Sequence, residues 1–298
     1  MLKIKTREKT ASMILGYCFT LPSVILMIVL LFIPMAKSIQ LSLLNTSLTL
    51  PEPEFIGLQG YKQLFREEVT WIVLRNSFLW TILVAGFQNI LGLTTAMILN
   101  RGFVGRVVFR TVSIIPWVMP GIIAAMLWRM FGDAQLGFLN AALFKLHIIR
   151  QPVDWLGTPN LALAMVIVTA IWKGFGFSML MYLAALQTVP QEQYESASID
   201  GANGVQRFLY VTIPNIRSVM NTTVLLTAIL TFNFFDIIYG MTGGGPLQST
   251  HIAPTYIYEV GFRYFNFGLA SRYSVLSFII VGTASMFYIY TLNKKEKL

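Results

Sequence analysis

A chain of 298 residues that is 55% hydrophobic and 12% charged, with a mean hydropathy of +0.65, has too few polar side chains to cover a water-soluble globule of its size. A net charge of +9 would ordinarily raise nucleic acid as a partner, but the basic residues are scattered over connectors and chain ends and form no single polar face, so no nucleic acid is expected. Cys18 is the only cysteine, which excludes an intramolecular disulfide and a cysteine metal cluster, and no metal site is expected.

Six charge-free runs are long enough to cross a bilayer, which takes about 20 residues: 10–36, 76–100, 111–128, 155–172, 218–235 and 273–293, the three of 18 residues reaching full length by extending over Arg110 or Arg129, Lys173 and Asp236. The first follows a basic start, Lys3 to Lys9, and is too long for a cleavable signal core, so it reads as a retained span. The predicted fold is an all-α polytopic membrane protein with six transmembrane helices. It divides into a first helix and external loop over 1–75, a core of five helices over 76–293 and a tail over 294–298. An even number of spans puts both ends on one side, and the ends and connectors on that side carry 12 Lys and Arg against 8 opposite. That excess predicts cytoplasmic termini.

The connector 37–75 has Pro51, Pro53 and Gly57 and then a mixture of charged and aromatic residues from Tyr61 to Trp71, which predicts an external loop ending in a surface helix. Pro116 and Pro120 interrupt the third run, and in a membrane helix each proline frees a carbonyl and bends the axis. The only long polar stretch with a defined plan is Gln191 to Pro214. Pro190 and Gln191 to Asp200 suit a short helix, Gly201 stops it, and 201–204 turn the chain into a second helix. Tyr194, Ala197, Ser198 and Gly201 share one face by spacing, an aromatic ring followed by small residues, and that face is expected to dock against another surface.

Glu195-Ser196-Ala197, three residues, Gly201, nine residues, then Val211-Thr212-Ile213-Pro214 is similar to the cytoplasmic E-A-A…G…I-x-L-P loop of binding-protein-dependent ABC importer permeases. In that family the loop is a coupling helix seated in a cleft of the ATPase subunit. The resemblance therefore assigns ATPase coupling to Tyr194, Glu195, Ala197, Asp200 and Gly201. Tyr239-Gly240-Met241-Thr242-Gly243-Gly244-Gly245-Pro246, expected as a flexible external turn, has the T-x-G-G-P form of the carbohydrate, maltose-permease-like class. That likeness implies a type I permease fold in a bacterial or archaeal cytoplasmic membrane. It implies as partners a second permease subunit, a dimer of ATP-binding subunits, an extracytoplasmic solute-binding protein and a sugar substrate. No Gly-Lys pair occurs, hence no phosphate loop of the G-x-x-x-x-G-K-[ST] type, so no cofactor is expected on this chain and ATP and Mg belong to a partner subunit.

Polar groups inside a span are costly and are expected to face the bundle interior and find partners. The candidates are Gln88, Asn89, Arg129, Lys173, Asn233 and Asp236, with Lys173 and Asp236 expected as a structural ion pair joining the fourth and fifth spans. Among the nearby aromatics, Trp172, Phe177, Tyr182, Phe232 and Phe235 offer ring faces of the kind a pyranose stacks on. The family resemblance places a substrate path at Trp172, Gly174, Phe177, Phe232, Asn233 and Asp236. The alternative is a secondary transporter using Lys173 and Asp236 as an ion relay, against which stand the lack of a detectable inverted repeat and of paired broken helices. A third reading is a membrane anchor without transport.

Overall fold

The computed structural model describes residues 16–48 and 52–296, so the basic start and the beginning of the first predicted span lie outside the described residues. The described chain is mainly helical. In chain order the helices are α1 (Gly16–Ser42), α2 (Gln59–Leu64), α3 (Glu68–Asn100), α4 (Arg106–Val118), α5 (Gly121–Phe131), α6 (Phe138–Lys145), α7 (Pro159–Leu186), α8 (Gln191–Ile199), α9 (Gly204–Arg207), α10 (Ile213–Phe232), α11 (Asp236–Met241), α12 (Ala253–Tyr258) and α13 (Phe267–Glu296). Of three π-helical turns among the described residues, two, Ile28–Phe32 and Phe208–Thr212, end two residues before a proline, Pro34 and Pro214, and the third is Glu259–Arg263. The ring removes an N–H from the regular ladder, and a widened turn is one way the helix runs on through it.

The chain forms two compact units. The first, Met1–Leu64 with Val260–Leu276, contains α1, α2 and a small antiparallel sheet, β1 (Leu44–Asn45) and β2 (Glu54–Phe55), with Leu44 opposite Phe55. Arg272 is buried beneath this sheet and donates from Nε to the Ser42 carbonyl at 3.2 Å and from its guanidinium to the Leu44 carbonyl at 3.1 Å. Tyr61 Oη donates to Ser42 Oγ at 2.8 Å, tying α2 to the end of α1.

The second unit, Phe65–Glu259 with Ser277–Leu298, is built on the packing of α3 against α7. Gly92 sits where these helices are closest: a Cβ there would lie 2.5 Å from Ser178 Cβ and 2.8 Å from the Met179 backbone nitrogen. Trp80 is fully buried in the apolar core formed with Val166, Ile237 and Ile252, and its indole N–H donates to the Thr231 carbonyl at 2.8 Å. That carbonyl is in the last turn of α10, where it also accepts the Phe234 N–H at 3.1 Å, so the indole adds a second donor to the helix end.

Among the described residues, four helices are long and apolar enough to cross a membrane: Gly16–Ser42, Glu68–Asn100, Pro159–Leu186 and Phe267–Leu292. A fifth results if α4 and α5, bent by 98° at Met119 and Pro120, are taken as one span. The predicted third span is thus broken and not merely kinked. The helix in the place of the predicted fifth span, α10, is 20 residues long but is not among these, its apolar run being interrupted by Asn215, Arg217, Asn221 and four threonines. Helix α7 extends over Lys173 as expected, running 14 residues beyond Trp172. Other helices also pass the charges that bound the charge-free runs: α1 continues through Lys37, α3 begins at Glu68 and takes in Trp71 and Arg75, and α13 begins at Phe267 and takes in Arg272. Charge is a poor stop signal in these helices, because a long helix with packed neighbours carries a charge at its end or on one face.

Candidate functional site

The polar elbow is an ordered structure. Pro190 precedes α8, and the helix closes with Gly201 at φ +78°, the Gly201 N–H donating to the Ser198 carbonyl at 3.2 Å and the Ala202 N–H to the Ala197 carbonyl at 2.9 Å. This paired closure needs a left-handed residue, which is why a glycine stands there. Helix α9 then opens on a reciprocal cap between Asn203 and Gln206, with the Gln206 N–H on Asn203 Oδ1 at 3.0 Å and the Asn203 N–H on Gln206 Oε1 at 2.8 Å. Arg207 spans the elbow to Ser198 Oγ at 3.1 Å, and Asn215 Nδ2 donates to Gln193 Oε1 at 2.6 Å.

Of the expected docking face, Ser198 and Gly201 are exposed. Tyr194 and Ala197 are half-buried against the rest of the chain, with Tyr194 Oη 3.0 Å from Thr212 Oγ1. The free face carries Glu192, Glu195, Ile199 and Asp200, joined by Val205; Ile199 is 87% exposed. The aromatic end of that face is therefore taken up by the chain's own Phe208–Thr212 turn. A Cβ at Gly201 would meet nothing within 4 Å, so only the backbone conformation demands glycine in the isolated subunit.

The interior candidates separate into two groups. Gln88 and Asn89 belong to a buried polar seam joining α3, α7 and α10. Gln88 Nε2 donates to the Ala170 carbonyl at 2.9 Å, Asn89 Nδ2 donates to Thr227 Oγ1 at 2.7 Å, and Tyr182 Oη donates to Asn89 Oδ1. Gly174 belongs here too, since a Cβ on it would lie 2.0 Å from Gln88 Nε2. It is thus closely packed against the seam.

The second group lies around the α4–α5 break. Trp172 meets Trp128 edge to face at 5.7 Å between centroids, and Phe177 meets Trp117 at 5.8 Å. Lys173 Nζ donates to the Trp117 carbonyl at 3.4 Å and stands 5.9 Å from the Phe234 ring centre. Trp117 is in the last turn of α4, where the break at Pro120 leaves carbonyls without helical donors, and the lysine supplies one. The expected Lys173–Asp236 ion pair is not formed: among the described residues no carboxylate oxygen lies within salt-bridge distance of Lys173, and the Asp236 side chain packs at Gly121. Asn233 and Asp236 are exposed at the α10–α11 junction while Phe232 is buried. Arg129 is exposed at the end of α5.

Beyond α11 the chain is tightly bonded, in contrast to the flexible turn expected there. Thr242 and Thr250 hydroxyls are 2.7 Å apart, Asn76 Nδ2 donates to the Ser249 carbonyl at 2.8 Å, and His251 Nε2 is 2.6 Å from a Glu259 carboxylate oxygen. Phe235, Tyr239 and Tyr258 pack together with centroids 4.9 to 5.1 Å apart. Nothing in the sequence singles out His251 and Glu259, because 8 residues separate them and neither falls in a motif.

Residues 88–296, most of the chain, match the binding-protein-dependent transport system inner membrane component family. The chain belongs to that family. It is a permease subunit of an ABC importer, which removes the ion-relay carrier and the passive anchor. The chain is 34% identical over 290 residues to the trehalose/maltose transport system permease protein MalF of Thermococcus litoralis, covering 96% of this chain and 95% of that one. It is 31% identical over 276 residues to the sulfoquinovosyl glycerol transport system permease protein SmoG of Agrobacterium fabrum, covering 92% and 89%. Its fold is similar to that of a chain from the crystal structure of a bacterial ABC transporter involved in the import of the acidic polysaccharide alginate, with a TM-score of 0.85, 22% identity and coverage of 97% and 99%. The permease fold is thereby shown.

Proposed function

We propose that this permease imports a sugar, an oligosaccharide or a sugar-like solute across a bacterial or archaeal cytoplasmic membrane, as one of two translocating subunits. A pair of ATP-binding subunits drives it with ATP and Mg, and an extracytoplasmic solute-binding protein delivers the solute. The observation that carries this reading is the elbow: a glycine-capped helix whose acids and one apolar side chain, Ile199, have no side-chain partner among the described residues. Support for the solute class comes from relatives named for trehalose and maltose, for sulfoquinovosyl glycerol and for alginate. Six spans with both termini cytoplasmic complete the arrangement, with α10 as the most polar of the six.

In this reading α8 sits in a cleft of the ATPase, held by Glu195 and Asp200 and shaped by Gly201, while Tyr194 and Ala197 brace it from behind. Closure of the ATPase dimer moves the elbow, and α10, continuous with it through the Phe208–Thr212 turn, carries the movement to the α10–α11 junction. Trp172, Phe177, Phe232, Asn233 and Asp236 border the solute path, aromatic faces taking the C–H side of a pyranose and the amide and carboxylate its hydroxyls. Reconstitution of the permease with its partner permease, ATPase and sugar-loaded binding protein tests this. Uptake that requires ATP inside the vesicle is expected. Uptake by the chain alone, driven by an ion gradient, would contradict it.

A further inference from the structure

Behind the elbow, on the side away from the free face of α8, is a cavity of about 480 Å³ that nothing in the coupling reading uses. Its walls hold two arginines, Arg101 and Arg207, with Asn100 and the hydroxyl pair of Tyr194 and Thr212, over an apolar floor that includes Leu186 and Phe208. None of its lining residues is acidic: the elbow's acids, Glu192, Glu195 and Asp200, all lie outside it. The Arg207 guanidinium is held on Ser198 Oγ, whereas that of Arg101 makes no hydrogen bond or ion pair with a described residue. Two guanidinium groups around one basin, without a carboxylate to neutralise them, attract an anion, and their planar forks suit phosphate oxygens.

The geometry points to a binding site for a phosphate-bearing anion beneath the coupling helix, one that ties the end of α3 to the elbow. The apolar floor and the place of Arg101, one residue beyond the membrane-crossing helix Glu68–Asn100, fit a phosphate ester with a short organic portion. The chain's own ends are basic, with Lys3, Lys5, Lys9 at one and Lys294, Lys295, Lys297 at the other, so charge argues against either tail as the occupant. The phosphate can be that of an anionic lipid headgroup or of a soluble cytoplasmic ester. Bound there it would bridge Arg101, at the end of α3, to Arg207 on the elbow and stiffen the coupling helix. This rests on the reading of α8 as that helix.

The test uses the assembled importer in nanodiscs. In one arm, phosphatidylcholine discs are compared with discs that also contain phosphatidylglycerol. In the other, glycerol 3-phosphate is titrated into phosphatidylcholine discs. Backbone hydrogen exchange over 194–207 and binding-protein-stimulated ATP hydrolysis are read in both. Wild type should show slowed exchange and altered hydrolysis in at least one arm. Taking away the charge-assisted hydrogen bonds of Arg101 should weaken that response about tenfold, so Arg101→Gln should all but lose it and Arg101→Lys should keep most of it. A response confined to the lipid arm identifies a headgroup, and one to glycerol 3-phosphate a soluble ester. Wild-type exchange indifferent to both probes, or Arg101→Gln responding as wild type does, would overturn the site. So would an Arg101→Gln importer that sheds its ATPase, since the basin would then be a seat for the partner protein. Failure of the coupling reading is distinguishable, because it would appear as a wild-type chain that never assembles with an ATPase.

Discussion

Gly92 and Gly201 show the two ways this chain uses the absence of a side chain. At Gly92 the backbones of α3 and α7 nearly touch, and a Cβ would run into the backbone of Ser178 and Met179. At Gly201 there is open space on every side, and only the left-handed φ of +78° asks for glycine. The first glycine serves the packing of the subunit, the second the shape of a surface. The same division runs through the polar residues. The Gln88, Asn89 and Tyr182 seam satisfies itself within the bundle, while the acids of α8 are left for something outside the chain.

Gly92→Leu is therefore expected to be the most damaging change, because the obstacle is backbone and no rotamer relieves it. Overpacking of this kind costs about 1–3 kcal/mol or more, and the variant should give little monodisperse protein on size exclusion of the detergent extract. Gly174→Ala comes next. It must displace Gln88 Nε2 from the Ala170 carbonyl and leave a buried amide unsatisfied, at a cost of about 1–3 kcal/mol. Thermal unfolding should show the loss, and adding Gln88→Ala should recover part of it, since the obstructing atoms are then gone.

Tyr182→Phe removes one inter-helix donor to Asn89. Such bonds within membranes contribute about 0.6 kcal/mol on average, up to about 1.7, so a fall of a few degrees in melting temperature is expected with assembly intact. The smallest effect on stability is expected at Lys173→Met. With no carboxylate in salt-bridge range, its loss forfeits one long bond to the Trp117 carbonyl, and the double variant with Asp236→Asn should be no more stable than Asp236→Asn alone. Rescue of either single variant by the double, measured as melting temperature, would restore the ion pair.

The elbow is legible in the sequence because its breaks are chemical: Pro190 starts a helix, Gly201 ends it, and the glycines and asparagine of 201–204 turn the chain into the next. The broken third span is legible in Pro116 and Pro120, though the 98° bend is not, since a proline says where a helix fails and not which way its halves go. Charge is a poor guide to span ends at Lys37 and Arg75, where helices continue through the charged residue, whereas the extension over Lys173 is required by the shortness of the run before it. Which face of α8 is free cannot be read from spacing, because Tyr194 is equally suited to meet a partner subunit or the Thr212 of its own chain. The pairing of Lys173 with Asp236 fails for a related reason: opposite charges in neighbouring spans meet only if both side chains turn to one point, and the helix break offers the lysine a carbonyl instead.

Gly201 isolates the coupling role of the elbow, because a Cβ added there would meet nothing within 4 Å in the subunit. Gly201→Leu forces a side chain into the left-handed region at a cost of about 1–2 kcal/mol, and Gly201→Asn, which tolerates that region, should cost less. Stimulation of ATP hydrolysis by loaded binding protein should be abolished in the assembled Gly201→Leu importer and largely kept with Gly201→Asn, with the inserted permease intact in both. Full stimulation in the Gly201→Leu importer would contradict the coupling role.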